Sequence, residues 1–175
     1  MHEKTKNEEL GRLSVDEFKQ ANKQPVTIIL DNVRSLHNVG SVFRTADAFL
    51  IEKLILCGLT GTPPNKEIEK TALGATASVT WQHAVNTLDA VNGLKDQGYK
   101  IYAVEQAKNS TLLHEFKRGT EKMALVFGNE VYGVEQSVID VSDGVIEIPQ
   151  LGSKHSLNIS VSVGIVLWEM LRGEL

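Results

Sequence analysis

Residues 125–170 decide the fold of this chain, and they read LVFGNEVYG (125–133), VIEIPQLGS (145–153) and KHSLNISVSVGIVLWEM (154–170). The first piece predicts a buried strand that turns at Gly128 and Asn129. The second predicts a short apolar strand that Pro149 ends. The third begins with the polar residues Ser156 and Asn158 and continues as an apolar helix. Polar groups at two strand ends and one helix start predict a ligand site at the carboxyl edge of a parallel sheet.

Upstream of this stretch, short apolar runs alternate with segments of helical spacing. This alternation predicts an α/β fold with a mostly parallel sheet flanked by helices. Segment 112–116 predicts at most one or two helical turns. The predicted strands are 26–30, 53–57, 79–81, 100–104, 124–127 and 145–148, and the predicted helices are 39–50, 66–73, 86–97, 134–141 and the C-terminal segment.

Size and composition indicate a single cytoplasmic domain. The 175 residues contain no apolar run near the ~20 residues of a membrane span, and the charged N-terminus has no apolar signal core. The single Cys57 excludes an intramolecular disulfide. The net charge of −4 disfavours nucleic-acid binding unless the Lys and Arg side chains are concentrated on one face.

Residues 1–22 predict a polar N-terminal extension, and residues 23–175 predict the folded domain. Ser14 and Glu17 have the spacing of a capping box, which favours a short helix over 16–21. A partly ordered tail is the equally compatible alternative.

The glycines of the chain indicate where a cofactor binds. The turn after the first strand lacks the G-x-G-x-x-G pattern of dinucleotide-binding folds. Glycines instead flank the last two strands, as at Gly128 and Gly133, where they allow a backbone to approach a ligand closely. The apolar neighbours Phe127, Ile148 and Leu157 suit a flat adenine ring.

Three motifs of the chain resemble those of the SpoU family, in the SPOUT superfamily of RNA methyltransferases. Segment 38–45 (NVGSVFRT) resembles the first motif, 128–133 (GNEVYG) the second, and Ile148-Pro149 with 156–158 (SLN) the third. The resemblance implies a sheet whose C-terminal segment forms a trefoil knot. It also implies a homodimer with a shared active site and S-adenosylmethionine as cofactor. The sequence contains no zinc-like Cys/His cluster, so no metal is expected.

The resemblance implies that five residues are catalytic: Arg44, Asn38, Glu130, Ser156 and Asn158. Arg44 is expected to act on a ribose 2′-hydroxyl. A guanidinium holds its proton strongly, so Arg44 either stabilises the alkoxide as a cation or relays a proton with the substrate phosphate. Asn38 is expected to cap the helix that follows it, to hydrogen-bond within the site, or both. Glu130 is expected to hold Arg44 or Asn38, or to face the sulfonium. Asn158 is the stronger functional candidate of motif three, because Ser156 is expected to cap the last helix.

The resemblance implies cofactor contacts from loops at the sheet edge, and positive charge predicts the RNA contacts. The expected activity is methylation of a ribose 2′-hydroxyl, in tRNA rather than rRNA, since no separate RNA-binding domain precedes the motifs. The alternatives are an rRNA methyltransferase, a non-catalytic RNA-binding protein of the same fold, and a small-molecule enzyme. The predicted cofactor contacts are Val104, Glu105, Phe127, Gly128, Ile148 and Leu157, and the predicted RNA contacts are Arg34, Lys66, Lys70, Lys117, Arg118 and Lys154.

Overall fold

The structure, a computed structural model, describes residues 2–174, so Met1 of the predicted N-terminal extension and Leu175 of the predicted domain lie outside the described residues. A short 3-10 turn occupies Asn7–Glu9. The strands are β1 (Gln24–Asp31), β2 (Ile51–Cys57), β3 (Trp81–Ala84), β4 (Lys100–Val104), β5 (Thr111–Leu112), β6 (Met123–Phe127) and β7 (Gly144–Glu147). The helices are α1 (Val15–Gln20), α2 (Leu36–Ala48), α3 (Lys66–Ala72), α4 (Ala75–Ser78), α5 (Thr87–Asp96), α6 (Gln136–Val141) and α7 (Ile159–Leu171).

The strands form one sheet in the order β3-β2-β1-β6-β4-β7-β5, and every pair of neighbouring strands is parallel. The predicted α/β class is therefore confirmed. Phe127 of β6 lies level with both Leu30 of β1 and Val104 of β4. The carboxyl ends of these three central strands consequently meet at one edge of the sheet, where ligands bind in such folds.

Strand β1 is buried on both faces, as its continuous apolar sequence predicts. Ile28 packs in the core under α2, where Phe43 is fully buried. Ile29 faces the opposite core, which it shares with Val138 of α6. Each fully buried side chain of this size contributes roughly 1.5–3 kcal/mol of hydrophobic stabilisation.

The N-terminal segment packs against the domain through one aromatic side chain. Ser14 and Glu17 form the predicted capping box, and α1 follows it. Phe18 is 3% exposed and joins the core, and α1 packs against α4. The short-helix alternative is thus confirmed.

Strand pairing over long sequence separations changed the bounds of two predicted elements. Segment 112–116 forms one turn, as predicted, in which the N–H of Phe116 donates to the carbonyl of Leu112, but Leu112 also pairs with Glu147 of β7 as a strand residue. The strand predicted at 79–81 starts later, because Val79 ends α4 and Trp81 pairs with Leu54 of β2.

The caps of two helices also differ from the prediction. Ser35, not Asn38, caps α2, and its Oγ accepts the N–H of Asn38 at 3.2 Å. Asn158, not Ser156, caps α7, and its Oδ1 accepts the N–H of Ser160 at 2.9 Å. The earlier start of α2 leaves the side chain of Asn38 free for other contacts.

The last helix, α7, packs against α2. The trefoil knot implied by the resemblance stays a prediction. Within residues 2–174, no helix is both long enough and apolar enough to cross a membrane.

Candidate functional site

A cavity of about 560 Å³ lies at the carboxyl edge of the sheet, between the ends of β4, β6 and β7 and the start of α7. Its volume is that of a typical small-molecule site. Three predicted catalytic residues line it, namely Glu130, Ser156 and Asn158. All six predicted cofactor contacts line it as well: Val104, Glu105, Phe127, Gly128, Ile148 and Leu157.

A chain of hydrogen bonds joins the three motifs at the rim of the cavity. The Asn158 Nδ2 group donates to Asn38 Oδ1 at 3.1 Å, and the Asn38 Nδ2 group donates to Glu130 Oε1 at 3.2 Å. Asn38 does not itself line the cavity but connects two residues that do. Of the alternatives for Asn38, hydrogen bonding is observed and helix capping is not.

The carboxylate of Glu130 is held by donors from the loop after β1. Its Oε2 accepts the N–H of Arg34 and its Oε1 accepts the N–H of Ser35, each at 3.2 Å. Partial burial works to raise the pKa of Glu130, but its own backbone N–H, those of Arg34 and Ser35, and the Asn38 amide outweigh burial and lower it. The Glu130 carboxylate is therefore ionised at neutral pH, and it accepts the Asn38 amide as an anion. Within the described chain it makes no hydrogen bond to Arg44.

The turn after β6 is fastened by Asn129, whose side chain is 8% exposed. The Asn129 Nδ2 group donates to the carbonyl of Asn32 at 2.7 Å. Its Oδ1 accepts the N–H groups of Val131 at 2.8 Å and Tyr132 at 3.2 Å. The backbones of Asn129 and Gly133 also exchange two hydrogen bonds. The position of Asn129 between Gly128 and Glu130 was the sole sequence signal for this role.

Two glycines of this turn are required by close backbone approach. A Cβ on Gly128 would lie 2.0 Å from the carbonyl carbon of Gly133. Gly133 has a φ of +69°, and a Cβ there would lie 2.1 Å from Glu105 Oε2. That Glu105 oxygen accepts the N–H of Val134 at 3.0 Å, so Glu105 braces the turn as well as lining the cavity.

The opposite wall of the cavity is the exposed loop between β7 and α7. The Gln106 Nε2 group donates to the carbonyl of His155 at 2.5 Å and thereby ties this loop to the end of β4. Ser156 lines the cavity without a hydrogen bond to another described residue. Sequence reasoning did not assign several lining residues to the site: Gln106, Asn129, Val131, Tyr132, Gln150 and Ser162.

Arg44 is exposed and lines a second cavity, also of about 560 Å³, on the outer side of α2. The other cation in this cavity is Lys70, whose Nζ lies 2.6 Å from Glu67 Oε1. Gly164 of α7 forms part of the wall. The structure thus brings four of the five predicted catalytic residues together within one chain and leaves Arg44 apart from them.

The predicted RNA contacts fall into two groups. Arg118 is largely buried, with 9% of its side chain exposed, and its Nη1 lies 2.8 Å from Glu174 Oε1. Arg118 is therefore less accessible to RNA than the other predicted contacts. Those that are exposed are Arg34, Lys66, Lys70, Lys117 and Lys154.

Comparisons with known proteins agree with these motifs and with the fold. The family model described as SpoU rRNA Methylase matches residues 25–168. A tRNA (guanosine(18)-2′-O)-methyltransferase of Thermus thermophilus is 30% identical over 100% of this chain and 87% of its own length. A 23S rRNA (guanosine-2′-O-)-methyltransferase, RlmB, of Vibrio parahaemolyticus is 31% identical over 95% of this chain and 67% of its own length.

A solved structure shares the same architecture. The rRNA methyltransferase of Sinorhizobium meliloti, solved with AdoMet bound, superposes with a TM-score of 0.82 at 28% identity and covers 90% of this chain and 60% of that chain. The chain spans 63% of the length of two further curated relatives.

Proposed function

This chain belongs to the SpoU rRNA Methylase family, and on that premise we propose that it transfers the methyl group of S-adenosylmethionine to a ribose 2′-hydroxyl of RNA. The observation that carries the proposal is the hydrogen-bonded chain from Asn158 through Asn38 to Glu130. It joins three distant motifs at the rim of one cavity. A non-catalytic RNA-binding protein of this fold has no need of the complete set.

The cavity beside Gly128 fits S-adenosylmethionine in volume and in lining. Phe127, Ile148 and Leu157 offer apolar surface for an adenine ring, and the surrounding loops offer backbone polar groups. The S. meliloti relative with AdoMet bound supports this choice of cofactor. When bound, the cofactor supplies an electrophilic methyl group. The protein then has to orient the ribose hydroxyl, assist loss of its proton and exclude water.

Arg44 is the residue that we assign to the ribose hydroxyl. Its guanidinium is exposed and has Lys70 as a cationic neighbour in the second cavity. Two cations suit the RNA backbone, and a guanidinium stabilises a developing alkoxide and an adjacent phosphate together. Because Arg44 lies outside the cofactor cavity of its own chain, we assign it to the cavity of a second copy.

The exposed apolar face of α7 supports a homodimer of this kind. Val161, Ile165 and Trp168 repeat along the outer face of α7 and are 49%, 37% and 57% exposed. Gly164 on the same face borders the Arg44 cavity. An apolar helix face next to an unpaired catalytic cation suits an interface between identical subunits, in which the same patch serves both copies.

We propose tRNA as the substrate, with rRNA as the second candidate. The Thermus tRNA methyltransferase matches the whole chain and most of its own length, which favours tRNA. The Vibrio rRNA methyltransferase has similar identity and supports the alternative. Both kinds of RNA are cytoplasmic in bacteria, so we propose the cytoplasm as the location.

The test uses the full chain with S-adenosylmethionine carrying a tritiated methyl group. Bulk tRNA and bulk rRNA from cells without the protein serve as separate substrates, and nuclease digestion identifies the labelled nucleoside. We expect label in a 2′-O-methylated nucleoside of tRNA. Label in rRNA alone would favour the second candidate. Label on a base, or no label in either RNA, would overturn the proposal.

A further inference from the structure

Two exposed side chains stand at the tip of the turn that forms one wall of the cofactor cavity. Val131 is 69% exposed and Tyr132 is 82% exposed, although both residues line the cavity. An aromatic ring this exposed makes little contribution to folding. Packing within residues 2–174 therefore does not explain why position 132 carries an aromatic side chain.

The backbone below these side chains is nevertheless held firmly. Asn129 Oδ1 accepts the N–H groups of both Val131 and Tyr132. The turn is closed behind them by the two hydrogen bonds between Asn129 and Gly133. A firmly held backbone that presents an exposed aromatic ring is suited to stacking, since little entropy is lost when a partner binds.

The position of the ring indicates what that partner is. A ribose whose 2′-hydroxyl reaches the methyl donor brings its own nucleobase, or the adjacent one, to the mouth of the same cavity. Single-stranded nucleotides are commonly bound by stacking of the base on an aromatic side chain. We infer that Tyr132 stacks on a nucleobase of the substrate RNA at the mouth of the cofactor cavity. This inference rests on the proposed function.

The test compares Tyr132→Ala with Tyr132→Phe, which keeps the ring, and with Val85→Ala, a control at an exposed valine that lines neither of the two cavities. The affinity for substrate RNA is measured at constant salt, and the affinity for S-adenosylmethionine is measured by calorimetry. Loss of one base stack is expected to weaken RNA binding roughly 5- to 150-fold in Tyr132→Ala. Tyr132→Phe and Val85→Ala should bind RNA within about twofold of the unchanged protein, and all affinities for S-adenosylmethionine should be equal.

A second arm identifies the base by a double-mutant cycle. An RNA oligonucleotide around the methylated position carries an abasic ribose at that nucleotide or at one of its neighbours. If Tyr132 stacks on the missing base, Tyr132→Ala causes no further loss with that RNA. Equal losses with every abasic RNA would overturn the inference.

The inference and the proposed function fail in different ways. RNA methylation by the unchanged protein, together with unaltered RNA affinity in Tyr132→Ala, overturns the inference and leaves the proposed function intact. Weaker binding of S-adenosylmethionine in Tyr132→Ala would assign the ring to the cofactor and also overturn the inference. Absence of methylation by the unchanged protein overturns the proposed function, and the inference with it.

Discussion

Asn38 and Asn158, which are 120 positions apart in the chain, are joined side chain to side chain by a hydrogen bond of 3.1 Å. Asn38 is also bonded to Glu130, so a single amide connects the start of α2, the turn after β6 and the start of α7. Each amide here donates in one direction and accepts in the other. The order of donors and acceptors in this series of hydrogen bonds is therefore as important as the distances that it spans.

Replacing the Nδ2 donor of Asn38 by an oxygen should break the hydrogen bond to Glu130 without changing the shape of the side chain. Asn38→Asp puts a carboxylate oxygen against Glu130, and like charges repel. We expect methyl transfer to fall by roughly 10-fold to 1000-fold, as for loss of a positioned polar group in an active site.

Asn22→Asp makes the same charge change at an exposed position next to the opposite edge of the sheet, and it should retain full activity. The double variant Asn38→Asp/Glu130→Gln restores a donor facing an acceptor and should recover part of the rate. No recovery, or full activity in Asn38→Asp, would contradict this role.

The lowered pKa of Glu130 predicts a pH dependence of stability. Because the folded carboxyl has a pKa below its ordinary value of 4.5, the anion stabilises the folded state above that value. This contribution should be lost as the pH falls below 4.5 and through the folded pKa. Denaturant unfolding of the unchanged protein and of Glu130→Gln between about pH 7 and pH 3 measures it. The difference between their free energies of unfolding should narrow on acidification, and a constant difference would show that the pKa of Glu130 is not lowered in the folded state.

Gly128→Ala tests the close approach inside the turn. The added Cβ would lie 2.0 Å from one backbone atom of Gly133 and 2.1 Å from the backbone nitrogen of Val134, so the turn has to move. We expect a loss of about 1–3 kcal/mol in the free energy of unfolding and weaker binding of S-adenosylmethionine. Gly152→Ala is the matched control, because nothing lies within 4 Å of its added Cβ. Chemical denaturation and calorimetry provide the two measurements. Equal free energies of unfolding and equal affinities for S-adenosylmethionine in the two variants would mean that the turn tolerates a side chain at position 128.

A mixed dimer tests whether Arg44 acts in the cavity of a partner copy. Arg44→Ala removes the cation, and Asn158→Asp keeps the α7 cap while removing the donor to Asn38. Each variant alone should be inactive. If the site is shared, random pairing of the two variants restores about a quarter of the full rate. Half of the dimers then contain one chain of each variant, and one of the two sites in such a dimer is intact. Activity is measured after co-expression with separate affinity tags. If Arg44 serves its own chain, the mixture stays inactive.

The sequence predicted the class of the fold and most of its elements because those depend on local patterns. Continuous apolar runs such as 26–30 indicate strands buried on both faces, and β1 is such a strand. The errors arose where partners distant in sequence decide the structure. Leu112 is a strand residue because Glu147 lies beside it, and nothing local distinguishes that pairing from a helical turn. The cap of α2 was mispredicted for a local reason: Ser35 and Asn38 are both favoured cap residues, and the sequence does not show at which of them the helix begins.

The sequence alone predicted which residue types stand at the site, because Asn38, Glu130 and Asn158 belong to motifs that resemble those of the SpoU family. Only the tertiary structure decided which atoms meet. The directed hydrogen bonds between these residues, the fastening of the turn by Asn129 and the separation of Arg44 from the cofactor cavity all depend on packing between distant segments. The physical reason is range: propensity and periodicity act over a few neighbouring residues, whereas a binding site is formed where strand ends and loops from the whole chain meet.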